Sequence, residues 1–292
     1  MTSSTSVSRI SVTSVLLATV LALSGCVTPA SKPVVSAPVS AADVGELYPN
    51  SGILKGYLAP EQLPDSLALL PAPPAEGSAA LAADTATFRS LTALQSSARG
   101  QLAVRDADLS YPASISTFSC AVGVPISQAD FPNLTMLLRR TMGDASLATS
   151  KAKNEYKRVR PFVALNAHTC TPQDEAFLAK NGSYPSGHSS IGWAWALVLT
   201  EIAPDHADAI LERGRAFSQS RAICGAHWQS DIEAGRLMGS ATVARLHANP
   251  VFEAQLDAAR TEIASARAHG MTPAGDCTAE STVIASSAIS SP

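Results

Sequence analysis

Charge and aromatic side chains are both scarce in this 292-residue chain. Asp, Glu, Lys and Arg make up 15% and Phe, Trp and Tyr 5%, against 46% hydrophobic. So little charge with so much apolar content excludes a disordered chain and leaves ample material for a core. There is no basic excess: 21 Lys and Arg face 24 Asp and Glu, a formal −3, so no general pull toward nucleic acid is expected. Beyond the first 25 residues no apolar run reaches the roughly 20 residues that span a bilayer. No C-x-x-C pair occurs among the five cysteines, which argues against a cysteine zinc site. Convincing strand alternation and internal repeats are also missing.

Residues 1–25 read as a signal peptide. Arg9 is their only charge, and the apolar run from Val15 to Leu23 is too short to cross a membrane. Leu23-Ser24-Gly25-Cys26 resembles a bacterial lipoprotein cleavage box, which implies cleavage before Cys26 and a lipid on its sulfur. An ordinary signal peptide with an incidental cysteine is the plainer alternative. Four cysteines then remain: Cys120, Cys170, Cys224 and Cys277. An even count in an exported chain suggests two disulfides, with three pairings open. Shorter loops favour Cys120–Cys170 with Cys224–Cys277.

Residues 26–45, rich in Pro, Ala, Ser and Val, read as a tether, and Pro71-Ala72-Pro73-Pro74 as another extended piece. From Gly77 the spacing turns helical. Ala79 to Asp84 leads to Phe88 and Leu91, and Leu134 to Leu147 continues the pattern. Between Ser189 and Ala203, Ile191, Trp195 and Leu199 share one face. Between Ala207 and Arg221, Ile210, Gly214 and Phe217 share another. Residues 232–247 and 251–267 are helical in pattern too. The expectation is an all-α, single-domain helical bundle over 46–275, with 276–292 a loose Ser/Ala/Thr-rich tail.

Three segments carry polar chemistry where apolar residues dominate. In "SRAICGAHWQSD", residues 220–231, Arg221 extends the stripe of Ile210, Gly214 and Phe217, and a buried arginine needs a partner. His227 and Asp231 are four apart, so on a helix the carboxylate could fix the imidazole tautomer. A structural His–Asp pair is the bland alternative. "KAKNEYKRVRP", residues 151–161, holds five basic residues in an acidic protein. Lys153, Lys157 and Arg160 fall on one helical face before Pro161. Such a run is either a solvated basic face or a cradle for an oxyanion. In "YPSGHSSIGWAWALV", residues 184–198, Ser186, Gly187 and His188 stand at the mouth of an apolar helix, where free N–H groups attract anions. A plain Ser/Gly cap with a surface histidine is the alternative there.

Together the three read Lys153-x6-Arg160-Pro161, then Pro185-Ser186-Gly187-His188, then Ser220-Arg221-x5-His227-x3-Asp231. This resembles the three-part signature of the type 2 phosphatidic acid phosphatase superfamily, shared with vanadium haloperoxidases. "LLPAPPAEGSAALAAD", residues 69–84, and "GHSSIGWAWALVLTEIAP", residues 187–204, are similar to class A bacterial non-specific acid phosphatases. The resemblance implies a helical acid phosphatase that needs no metal or other cofactor and works through a phosphohistidine. It implies His227 as nucleophile, Asp231 as its orienting partner and His188 as general acid. Lys153, Arg160, Ser186, Gly187 and Arg221 would hold the phosphate oxygens. It implies small phosphomonoesters as substrates, including nucleotides and sugar or aryl phosphates, with some transfer to alcohols. No nucleic-acid partner is expected, contact with membrane only through the anchor, and a homo-oligomer stays open. The place of action would be the periplasm or bacterial envelope. Two alternatives stand: a vanadate-dependent haloperoxidase-like enzyme, which uses the same ligand set, and a non-enzymatic envelope lipoprotein.

Overall fold

The computed structural model describes residues 1–3 and 35–286. Most of the expected signal peptide, and Cys26 with its expected lipid, lie outside the described residues. Of the expected tether, residues 35–45 are described; none is buried, and they hold one helical turn, Ala41–Val44.

From Val35 onward the chain forms one unit. Its longer helices are α1 (Ala79–Thr92), α2 (Ala98–Ala107), α3 (Pro132–Leu147), α4 (Ser150–Tyr156), α5 (Gly187–Ile202), α6 (Ala207–Ile223), α7 (Gln229–Leu246), α8 (Pro250–Ala268) and α9 (Cys277–Ser286). One-turn and 3-10 segments join them. Among the described residues the only β-pairing is an isolated bridge, Glu46 to Leu54. The all-α expectation holds, and no described helix is long and apolar enough to cross a membrane.

Helix α5 is the axis of the bundle and touches α3, α6, α7 and α8. Its sequence explains the position, because apolar or small residues surround it on nearly all sides and ten of its sixteen residues are buried. Trp195, fully buried, donates its indole N–H to the Leu138 carbonyl at 2.8 Å and packs on Phe217 and Phe118. The stripe on α6 works as its spacing suggests: Ile210 and Phe217 are fully buried. Gly214 lets α6 close on α5, since a Cβ there would come within 2.4 Å of the Ala196 methyl. On the other flank, a Cβ on Gly235 of α7 would lie 2.4 Å from the Ser186 carbonyl. That glycine lets α7 press against the start of α5, where the polar segments meet.

Three expectations are corrected. The basic run is not one helical face: α4 ends at Tyr156, Lys157 turns left-handed at φ 43°, and Arg160 is extended. The disulfides are Cys120–Cys277 and Cys170–Cys224, not the sequence-neighbour pairs. Loop-closure entropy is a weak guide here, because doubling a loop costs only about 0.6 kcal/mol. Packing decides instead: the Cys170 N–H donates to the Cys224 carbonyl at 3.0 Å, which sets the two cysteines side by side. The tail is not loose over 277–286. Cys277 opens α9, which is pinned by its disulfide and seats Ile284 with Leu102 and Ala216.

Candidate active site

The three polar segments converge at the N-terminal end of α5. Lys153, in the last turn of α4, donates Nζ to the carbonyls of Gly182 at 2.8 Å and Pro185 at 2.9 Å. Those bonds tie α4 to the loop that leads into α5. Arg160 is buried, with Nε on the Asn181 carbonyl and Nη1 on the Ala226 carbonyl at 2.9 Å. Its Nη1 also lies 3.0 Å from His227 Nε2. Arg221, in the last turn of α6, is 2% exposed, and its Nε and Nη1 find no acceptor among the described residues.

His227 lies in the turn between α6 and α7, and Asp231 lies in the first turn of α7. The expected pairing holds, but across a helix start rather than along a helix. Nδ1 of His227 is 3.3 Å from Asp231 Oδ2, which also accepts the Trp228 N–H at 2.9 Å. Ser183 donates its hydroxyl to the same carboxylate, and Arg158 Nη1 reaches Oδ1 at 2.6 Å. A carboxylate acts only as an acceptor here, so Nδ1 carries the ring proton and the lone pair is on Nε2, facing Arg160.

Ser186 caps α5, accepting the Ser189 N–H at 3.2 Å. Gly187 and His188 open the helix, where leading N–H groups have no intrahelical acceptor. His188 is half-buried and donates Nε2–H to the Ala107 carbonyl, 3.0 Å away at the end of α2.

The electrostatics follow from crowding cations in a dry place. Burial, with Arg160 nearby, brings Lys153 down to about 7. Burial, then Arg221, brings Arg160 to about 10; burial likewise brings Arg221 to about 10, against the pull of Asp174 and Asp106. Burial first, then Arg160, Lys153 and Arg221, holds His227 well below the usual imidazole range. His188 is lowered by burial and then by Arg221, while its bond to Ala107 acts the other way. Depressed cations around a neutral imidazole define a site that gains by taking up an anion. The same donors repel a divalent cation, and among the described residues no group of His, Cys, Asp or Glu is arranged to hold one.

Asp231 acts on Lys153 and Arg160 but does not offset their burial, and Arg158 already pairs with it. Arg158 also pairs with Asp84 of α1 at 2.8 Å, and Asp84 in turn accepts the Ser230 N–H at 2.9 Å. The sequence reading gave no role to Arg158, Asp84, Ser183 or Ala107. Arg158 stood inside the basic run, and Asp84 closed the segment 69–84. Ala107 acts through its backbone, which leaves no trace in residue type.

A helical bundle that gathers three cations, a helix start and two histidines around a place for an oxyanion is the site of a phosphatase-type enzyme. Comparison with known proteins agrees. The PAP2 superfamily matches residues 134–252. The non-specific acid phosphatase of Providencia stuartii is 48% identical over 209 residues, covering 71% of this chain and 84% of the relative. The acid phosphatase of Zymomonas mobilis is 43% identical over 209 residues, covering 72% and 79%. A solved bacterial vanadium-dependent iodoperoxidase aligns with a TM-score of 0.46 at 19% identity, covering 70% of this chain and 62% of that one. The chain belongs to the non-specific acid phosphatases of the PAP2 superfamily.

Proposed function

We propose that the enzyme hydrolyses small phosphomonoesters through a phosphohistidine on His227 Nε2, without a metal. The observation that carries this is Arg221: a buried guanidinium with two unpartnered nitrogens, whose charge acts on both His188 and His227. An unpaired buried cation is costly unless an anion completes it. Lys153, Arg160, Arg221, the Ser186 hydroxyl and the Gly187 N–H hold the non-bridging oxygens. The Nε2 lone pair attacks phosphorus in line, the ester P–O bond breaks, and His188 gives the leaving oxygen its proton. With Nε2–H held by Ala107, Nδ1 of His188 is the nitrogen for the transferable proton. Water then attacks the phosphohistidine, loses its proton to His188 and releases phosphate. An alcohol in place of that water gives phosphotransfer.

Positioning and charge do most of the work in phosphoryl transfer. Here fixed cations supply the charge stabilisation. The phosphate dianion raises His188, which the empty cradle holds low, so the acid is charged when substrate is bound. Mildly acidic pH follows for turnover, since Lys153 and His188 must both carry protons while His227 stays neutral.

The place of action we propose is the bacterial envelope, with residues 1–25 removed and Cys26 lipidated. Two disulfides support an oxidising compartment.

The test is rapid acid quench with labelled phosphomonoester, with EDTA and vanadate in parallel. Acid-labile label is expected on wild-type enzyme, and none on His227→Ala, whose turnover falls by at least about 10⁴-fold. EDTA should leave activity intact and vanadate should inhibit. Label retained by His227→Ala, or activity lost to chelation and restored by a divalent ion, overturns the mechanism.

A further inference from the structure

Several donors compete for the Asp231 carboxylate, and His227 is the most distant of them. Oδ2 accepts the Trp228 N–H at 2.9 Å and the Ser183 hydroxyl. His227 Nδ1 stands 3.3 Å from the same oxygen, past the roughly 3.2 Å limit of an ordinary N–H···O bond. Oδ1 is held by Arg158 Nη1 at 2.6 Å, as short as strong charge-assisted bonds are. The carboxylate therefore spends its charge on Arg158 and gives the imidazole mainly an orientation.

Arg158 is fixed in that role from several sides. Its carbonyl accepts the Ser183 N–H at 2.8 Å, which ties its backbone to the loop before α5. Its guanidinium lies 5.3 Å from the centre of the Trp228 ring. Its Nη2 reaches Asp84 Oδ2 at 2.8 Å, and Asp84 holds the first turn of α7 through the Ser230 N–H. The Arg158 side chain is 8% exposed, Asp84 5% and Asp231 0%, so water screens these charges little. One cation shared by two carboxylates thus sets how much of the Asp231 charge reaches His227.

That share matters for one step. With the phosphoryl group on Nε2 and the proton kept on Nδ1, the ring carries a positive charge. A carboxylate without Arg158 would stabilise it. In breakdown the water oxygen bonds to phosphorus and the water proton passes to His188. The P–Nε2 bond breaks, its electron pair returns to the ring, and the ring is neutral again. Whatever favours the cationic ring therefore favours formation of the phosphoenzyme and slows its breakdown.

Resting on the phosphohistidine reading above, we propose that Arg158 is a positioning residue that withholds the charge of Asp231 from His227 and so keeps the phosphoenzyme short-lived. Asp84 sets how much is withheld.

The experiment labels the enzyme with radioactive 4-nitrophenyl phosphate, chases with unlabelled ester and follows the label by acid quench. Stopped flow reads the burst of nitrophenolate in parallel. In Arg158→Gln, breakdown should slow about tenfold while the burst stays as fast as in wild type or becomes faster. Arg158→Lys restores the charge and should bring breakdown back to within about threefold of wild type. Asp84→Asn leaves Arg158 wholly to Asp231 and should act in the opposite sense, with breakdown up to about threefold faster and a slower burst. Ser183→Ala keeps both ion pairs and frees Oδ2 for His227. It should slow breakdown about threefold, and it carries the test if Arg158→Gln does not fold. A burst that falls in step with breakdown marks a merely structural network and overturns the proposal while the phosphatase reading stands. So does Asp84→Asn moving in the same direction as Arg158→Gln, or breakdown unchanged in Arg158→Gln and Ser183→Ala. Wild-type enzyme that carries no acid-labile label overturns both readings.

Discussion

Two arginines lie two turns apart on α6, Arg213 and Arg221, equally buried and opposite in use. Arg213 pairs with Asp106 and Glu280, and Arg99 donates to the Ser220 hydroxyl at 3.0 Å and the Ala216 carbonyl at 2.7 Å. Burial alone would lower Arg213, but Asp106 and then Glu280 outweigh it and raise it. Arg221, two turns on, has no such partner and is lowered to about 10. Residue type and burial do not separate these two side chains; the partners do. A buried cation with its carboxylates beside it is structure. A buried cation without them is one half of a binding site.

The largest expected effects come from exchanging each arginine for an apolar side chain of similar length. Arg221→Met should cut kcat by about 10²–10³-fold, because a donor to the developing charge is lost. It should leave the melting temperature unchanged or higher, because an unpaired buried charge is gone. Arg213→Met should do the reverse and cost about 3–5 kcal/mol of stability, since Asp106 and Glu280 lose the cation that pairs with both of them. Denaturant melts and initial rates on both variants check this. If Arg221→Met is as destabilised as Arg213→Met, the division into paired and waiting charges is wrong.

A smaller, pH-dependent effect sharpens the same comparison. Lys153 lies at about 7 in the folded protein against its ordinary 10.5. Between those values the unfolded chain binds more protons, so this group makes the anion-free enzyme gain stability as pH rises from about 7 to about 10.5. His227 and His188, both lowered, add a dependence of the same sign below about 6.5. A bound oxyanion pulls Lys153 and His188 back toward their charged forms. Vanadate should therefore raise the melting temperature more at about pH 6 than at about pH 8, and its affinity should weaken by up to about tenfold per pH unit above 7. A vanadate shift independent of pH would show that Lys153 is charged without the anion.

Much of the site was legible because its side chains break local rules. Arg221 interrupts an apolar stripe, and Ser186-Gly187-His188 precedes a helix with few polar residues. Asp231 follows His227 at a telling interval. The long helices were legible from apolar spacing. Helix α2 was not, since its buried face carries Arg99 and Asp106 beside Leu102 and Ala103, which hides the period. Helix α9 was hidden by a Ser/Ala/Thr composition with little apolar stripe; a disulfide and one seated isoleucine hold it instead. The disulfide pairing and the Ala107 carbonyl depend on chain path, which residue types do not report.

The smallest effect tests the basic run itself. Five basic residues lie between 151 and 160, three of them spaced as one helical face, yet the fold sends them to separate tasks. Lys151 pairs with Asp65 on the surface, Lys153 and Arg160 enter the cradle, and Arg158 locks Asp231 to Asp84. Lys157 is exposed and ends α4 in the left-handed region at φ 43°. A non-glycine residue there is strained, and glycine is the residue that helices favour at this position. Lys157→Gly removes the strain but gives the unfolded chain more freedom, so the net gain should be modest, about 0.5 kcal/mol. Activity should stay within about twofold, because a solvated charge outside the cradle adds little to a desolvated one. Thermal melts and kcat/KM on a single phosphomonoester decide the matter. A loss of activity above about fivefold would mean the run acts as one cationic surface on the incoming anion.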